Sequence, residues 1–277
     1  MTTSTHTDPI VDAAWIAEHL DDEAVRLIEV DVSPAAYRAG HIPGALLWNI
    51  YADLRRPDYL PIGTAELEQL LSRSGIDRET TVVFYGYGAH LGHWLLTSHG
   101  HEDARLLDGP REQWLETAAG WSLDEPAPAP APYRLGPPDG RLYASRDDVL
   151  AAIGHPGAVL LDVRSQAEFD GERFWPSGAT EDAGRSGRLP GSVHLPIDAL
   201  RTEGATFRPE TELRRALRER GLEDGRRIVA YCTVGNRAAQ AWFALTHLLG
   251  RADVGVYHGS WAEWGHLEST PIETGAA

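Results

Sequence analysis

Cys232 is the only cysteine among 277 residues, and its neighbours suit a nucleophile better than a packing residue. It follows the apolar run Arg227 to Tyr231 and precedes Thr233, Val234, Gly235, Asn236 and Arg237, after which an alanine-rich stretch has the composition of a helix. In open parallel sheets, the carboxyl end of a strand feeding a helix is where ligands sit. Amides at a helix N-terminus are unpaired and carry partial positive charge, so a loop curled there cradles an anion. Gly235 gives the chain freedom to curl tightly. The helix terminus contributes up to about 2 kcal/mol toward a thiolate, and converging loop amides add to that. Arg237, one turn from the sulfur, is placed to neutralise an anionic donor.

The elements that must position this turn occur twice. Leu27 to Ile50 and Val159 to Ile197 each hold a short β-rich run ending in Asp-Val, a turn, and then a Gly-(His/Arg)-(Ile/Leu)-Pro-Gly-(Ala/Ser) motif. Thr64 to Tyr85 parallels Thr211 to Tyr231, each with a capping residue, a helical period of leucines, a glycine and a Val/Ile-rich run. "LDGPREQWL" (Leu107 to Leu115) echoes "YHGSWAEWG" (Tyr257 to Gly265). The main difference is an insertion of about 16 residues in the second copy, within Gly171 to Arg188.

The pattern predicts helix over 13–22, strand over 26–31, helix over 64–74, strand over 81–86 and helix over 90–98. Short apolar strands between helices point to parallel sheets covered on both faces, an α/β fold built twice. The expected division is a first domain over 1–123, a proline-rich linker over 124–141 and a second domain over 142–277. Matching strand to strand puts Gly86 opposite Cys232, so the first copy lacks the nucleophile.

Composition narrows the function. The net charge of −16 argues against nucleic acid and anionic membrane as partners. All 25 basic residues are arginine, so no lysine is available for a Schiff base and any anion is held by arginine or backbone amides. A lone cysteine forms no internal disulfide. The first ten residues show no leader pattern, and no apolar stretch approaches a bilayer span, so a cytoplasmic protein is expected. His90, His93, His99 and His101 invite a metal reading, but no cysteine or partnered carboxylate motif stands nearby, and none is expected.

"YCTVGNRA" after a β run, "GHIPGA" (Gly40 to Ala45), "DVRSQAEFDGE" and "GSWAEWG" together resemble the rhodanese family, in particular two-domain thiosulfate sulfurtransferases with an inactive first domain. The resemblance covers both halves of the chain. It implies two tandem rhodanese-like domains and ping-pong transfer through a Cys232 persulfide. The donor would be a small anionic sulfur compound, the acceptor cyanide, a thiol or a protein, and no cofactor is implied. Thr233, Val234, Gly235, Asn236 and Arg237 would form the donor-binding loop. Arg164 resembles a substrate-facing arginine of the family, the alternative being a surface arginine paired with Glu168. Asp162 would fix the loop architecture, as Asp31 would in the first half.

The spacing Cys-X4-Arg is one residue shorter than the Cys-X5-Arg of the phosphatase relatives, which favours sulfur over phosphate or arsenate. Thr233 stands where many thiosulfate users carry arginine, and "CTVGNR" fits the Cys-Gly-(Ser/Thr)-Gly-Val-Thr of mercaptopyruvate users less well. Thiosulfate is therefore the expected donor. The alternatives are 3-mercaptopyruvate as donor and a persulfide carrier serving one dedicated partner.

Overall fold

The computed structural model describes residues 8–222 and 225–275. Residues 1–7, on which most of the leader reading rests, lie outside them. The chain separates into two compact units, 1–56 with 62–137, and 57–61 with 138–277.

The first unit runs β1 (Ile10–Val11), α1 (Ala13–Glu18), β2 (Val25–Asp31), α2 (Ala35–Ala39), β3 (Leu46–Asn49), α3 (Thr64–Arg73), β4 (Thr81–Tyr85), α4 (Ala89–Ser98) and β5 (Ala104–Leu107), then a 3-10 turn over Arg111–Glu116. All pairings are parallel, in the order β1-β5-β4-β2-β3. The Asp12 side chain starts α1 by accepting the Trp15 N–H at 2.7 Å, which satisfies an orphan donor of the first turn. Side chains alternate across β4: Val83 and Tyr85 join Ile16, Leu27 and Trp114 in one core layer. Phe84 faces the other way, and Gly92 lets α4 approach it so closely that a Cβ there would lie 2.5 Å from its ring. Both faces of the sheet are thus covered, as uniformly apolar strands require.

The second unit repeats the order: β6 (Tyr143–Ala144), α5 (Arg146–Ala152), β7 (Ala158–Asp162), α6 (Gln166–Phe169), β8 (Val193–His194), α7 (Glu210–Arg218), β9 (Arg227–Tyr231), α8 (Asn236–Phe243), β10 (Val254–Tyr257) and α9 (Ser260–Trp264). Its strand order, β6-β10-β9-β7-β8, is that of the first sheet, again all parallel. Among the described residues no helix is long and apolar enough to cross a membrane.

The stretch expected as a linker is ordered by side chains of the first unit as far as Pro137. His41 Nε2 lies 2.8 Å from the Asp124 carbonyl, Glu68 accepts from the Leu135 N–H at 2.8 Å, and the Tyr133 hydroxyl meets His101 at 2.7 Å. Pro57–Pro61 groups with the second unit, where the Tyr59 ring stacks on His266 with centroids 5.2 Å apart.

Candidate active site

Strand register fixes the correspondence between the halves. Tyr231 pairs with Asp162 across β9 and β7, and Tyr85 pairs with Glu29 across β4 and β2. The counterpart of Asp162 is therefore Glu29. Asp31 instead closes a local turn by accepting the Val32 and Ser33 N–H groups at 2.6 and 3.2 Å. The motif repeat lined up the two Asp-Val dipeptides, but the sheet pairs residues by ladder position, two places earlier in the first copy.

Cys232 begins the turn after β9 and is buried, with 1% of its surface exposed. Gly235, at φ +88°, turns the chain back toward the sulfur, a conformation that costs glycine little and a side chain much. The Gly235 N–H points at Cys232 Sγ, 3.1 Å away. The carbonyls of the turn face the other way: Cys232 O accepts from the Trp261 N–H and Thr233 O from the Ala262 N–H, both at 2.9 Å. Carbonyls held on the far side leave the turn's donors, not its acceptors, for an anion on the sulfur.

Ser260 completes this clamp. Its hydroxyl donates to Tyr257 O at 2.8 Å and accepts the Cys232 N–H at 3.2 Å. It is fully buried and holds φ at +54°, a left-handed conformation unusual outside glycine and costing of order 1 kcal/mol or more. Neither its role nor its strain is visible in "YHGSW", because both arise from where β10 ends relative to the Cys232 turn.

The charged side chains are arranged differently from the sequence-based expectation. Arg164 is neither at the donor position nor on the surface. It is fully buried and forms a forked pair with Asp162, Nε to Oδ1 at 3.0 Å and Nη2 to Oδ2 at 2.6 Å. It also donates to the Gly187 carbonyl at 2.7 Å and lies over the Trp261 ring, 4.5 Å from its centroid. The two-residue spacing brings the guanidinium back onto the carboxylate, which takes its Nε and Nη2 and leaves the buried Nη1 without a hydrogen-bond partner among the described residues. Burial works against the guanidinium charge, but Asp162 outweighs it and raises the pKa of Arg164. Asp162 also accepts the Arg164 N–H at 2.9 Å, tying down the chain that leaves β7.

Arg237 leads α8 as expected, but its charge is already met. Its two terminal nitrogens each lie 2.8 Å from an oxygen of Glu168. Glu168 also accepts from the Thr233 hydroxyl at 2.7 Å, and from the Ser165 hydroxyl and N–H at 2.8 and 3.1 Å. Arg237 in turn donates to the Thr233 hydroxyl at 2.7 Å. Burial opposes the Glu168 charge, yet the Arg237 fork and the two hydroxyls hold its carboxyl down at about 2. Of the expected loop side chains, Thr233 and Arg237 are thus brought together beneath the turn by Glu168. The Val234 side chain is nearly buried, and Asn236 opens the helix.

Other side chains of the repeated motifs and the insertion pack against aromatic rings or backbone carbonyls. Phe174 and Trp175 from the insertion are buried, Phe174 lying edge-on to His266 with centroids 5.0 Å apart. Arg188 lies over the Phe169 ring at 4.5 Å, as His41 stacks on Tyr37 at 3.8 Å in the first half. His258 is buried, edge-on to Tyr143. Of the four clustered histidines, His101 bridges the Tyr133 hydroxyl and Thr80 O, His99 meets Leu95 O, and burial lowers the pKa of both. Among the described residues, no three His, Cys, Asp or Glu side chains are grouped to hold a metal.

Comparison with known proteins gives the family. Residues 12–117 and 145–267 match the Rhodanese-like domain family. A Haloferax volcanii protein that carries the provisional name thiosulfate sulfurtransferase is 37% identical, over 97% of each chain. The sulfur carrier protein TtuD of Thermus thermophilus is 36% identical, over 98% of each chain. The anaerobic ergothioneine biosynthesis enzyme of Chlorobium limicola, solved with trimethyl histidine, superposes with a TM-score of 0.87 at 25% identity, covering 100% of this chain and 72% of that one. An EanB structure holding a cysteine persulfide gives 0.86, also at 25% identity, covering 98% and 71%. With two matching segments and full-length relatives, the chain belongs to the rhodanese family.

Proposed function

We propose that the protein is a sulfurtransferase of the rhodanese type that moves sulfane sulfur from thiosulfate to cyanide or a thiol through a persulfide on Cys232. One observation carries the reading: a sole cysteine at the start of a four-residue turn, its Sγ accepting an N–H at 3.1 Å while the turn's carbonyls are held away. In the first half-reaction the Cys232 thiolate attacks the outer sulfur of thiosulfate. A Cys–S bond forms, the donor S–S bond breaks, and sulfite leaves with the electron pair. The terminal sulfur of the persulfide is an anion, and the Gly235 N–H beside Cys232 Sγ supports a role in holding it. In the second half-reaction the acceptor takes that sulfur and the electron pair of the persulfide S–S bond returns to Cys232.

The test is intact mass after incubation with thiosulfate and gel filtration. A gain of about one sulfur (roughly 32 Da) in the native protein but not in Cys232→Ser is expected, followed by thiocyanate release on adding cyanide. No gain from any sulfur donor, with hydrolysis of a phosphate ester instead, overturns the reading. The likeness to a sulfur carrier protein favours a second reading, delivery to a dedicated protein acceptor. That reading gains ground if the persulfide forms but cyanide discharges it slowly, and the acidic net charge suits a basic partner.

A further inference from the structure

Resting on the reading that Cys232 takes sulfur from a small anionic donor, thiosulfate among them, we propose that Glu168 is a specificity-determining residue: by holding Arg237, it removes the cation that the Cys232–Arg237 segment would otherwise offer, so that thiosulfate is accepted less readily than singly charged sulfane donors such as thiosulfonates or persulfides.

The charges near the turn support this one by one. Arg237 is the only basic residue within the Cys232–Arg237 segment, and both its terminal nitrogens are engaged by Glu168. Arg164, the other arginine expected at the site, is closed in a pair with Asp162. Thr233 adds no free hydroxyl, since it donates to Glu168 and accepts from Arg237. Lysine is absent from the chain. With these cations paired, the group shown facing the sulfur is the Gly235 N–H, a backbone dipole that stabilises one negative charge better than two packed together.

The first half shows that the fold does not require this carboxylate. Tyr37 and Phe169 are equivalent, each stacked by the residue that follows the motif glycine, His41 or Arg188. One position earlier, Glu168 corresponds to Ala36, and that half has no nucleophile. The carboxylate and the cysteine occur in the same half. Locally Glu168 reaches back to the Ser165 N–H at the start of α6, so one side chain both starts a helix and holds the arginine that ends the Cys232–Arg237 segment.

The experiment compares thiosulfate with benzenethiosulfonate, a donor of the same sulfane chemistry carrying one charge fewer, in the native protein and Glu168→Gln. The amide keeps the size and some hydrogen bonds but frees the Arg237 charge. The ratio of kcat/KM for thiosulfate to that for benzenethiosulfonate is expected to rise roughly tenfold, through a lower KM for thiosulfate. Comparing two donors cancels any damage to the turn that both feel. An unchanged ratio, with both donors still loading Cys232, overturns the inference and leaves the sulfurtransferase reading intact. If neither donor loads the native protein, that reading fails first and takes this inference with it. Should Glu168→Gln not fold, the native protein decides through salt. A compensated site in an acidic protein predicts that kcat/KM for thiosulfate holds steady or rises with ionic strength, and a steep fall would reveal an unpaired cation and overturn the inference.

Discussion

The two halves build the same support for the turn after the central strand and then treat the turn differently. In each, a buried carboxylate faces a tyrosine across the strands, Glu29 with Tyr85 and Asp162 with Tyr231. The tyrosine hydroxyl accepts an N–H from the following motif, Ile42 at 3.2 Å or Leu189 at 3.1 Å. An arginine pairs with each carboxylate, donates to the motif glycine (Gly40 or Gly187), and lies 4.5 Å over a tryptophan. Yet the arginine comes from different places in the sequence. In the second half Arg164 follows the strand and Trp261 lies on α9, whereas in the first half Arg111 occupies the position of Trp261 and its tryptophan is Trp121. The two units keep a cation against the buried carboxylate in space rather than a residue in sequence.

Above this shared base the halves part. The first turn, Gly86–Tyr87–Gly88, is one residue shorter than Cys232–Gly235. The Gly88 N–H donates to Val30 O at 2.7 Å, and a Cβ at Gly88 would fall 2.6 Å from the Val30 side chain and 2.9 Å from Ile50. That turn is pressed onto β2. The second turn is braced by hydrogen bonds from Ser260, Trp261 and Ala262, where the first half offers Pro110 in place of Ser260. An active half therefore needs more than the cysteine.

The hardest test of that statement moves the nucleophile. Cys232→Ser should abolish sulfur uptake, and adding Gly86→Cys should not restore it, since a Cβ at Gly86 meets Glu29 and Val30 within about 3.2 Å at φ +87°. Intact mass after thiosulfate treatment checks this, and uptake on residue 86 would break the comparison.

The shared base should be costly to breach in either half, and more so in the second, where Arg164 and Asp162 are both fully buried while Glu29 can take up a proton when Arg111 is lost. Arg164→Met leaves the Asp162 carboxylate buried and unpaired and should destabilise the second unit by about 3–5 kcal/mol, with Arg111→Met costing the first unit less. Calorimetric unfolding of each variant would show which unit is lost, and only Arg164→Met should impair sulfur uptake.

Acid should separate the halves. Glu168 is held at about 2 when folded, below an ordinary carboxyl. Its contribution, about 3 kcal/mol, is present above roughly pH 4.5 and is lost as pH falls toward 2. Glu29 has the opposite sign: burial, only partly offset by Tyr85 and Arg111, raises its pKa, so its charge is disfavoured in the folded state and its contribution is greatest when protonated. The second unit should lose stability relative to the first between pH 5 and pH 2, measured by hydrogen exchange, and Glu168→Gln should remove much of that difference.

The smallest expected effect concerns the clamp. Ser260→Ala deletes one hydrogen bond to the Cys232 backbone and should slow persulfide formation about three- to tenfold, following the usual 0.5–1.5 kcal/mol for such a bond. Pro110→Ser in the first half should change nothing in a rapid-quench assay of sulfur loading.

Much of this molecule was legible in the chain itself. The apolar runs before Gly86 and Cys232, the leucine period of α3 and α7 and the repeated Pro-Gly motif specify α/β units in tandem, because they determine which faces can be buried. The glycine three places after Cys232 and the helix behind it also mark the turn, since its conformation is set locally. What tertiary structure alone decided is where each charge is spent. Arg164 and Arg237 look alike in sequence, each near a carboxylate and each fit for an anion. Which carboxylate each one meets depends on strand register and on how α6 lies beneath the turn. Ser260 and Glu168 enter the site from segments 28 and 64 residues away from Cys232, brought there by the sheet, and no local pattern encodes that meeting.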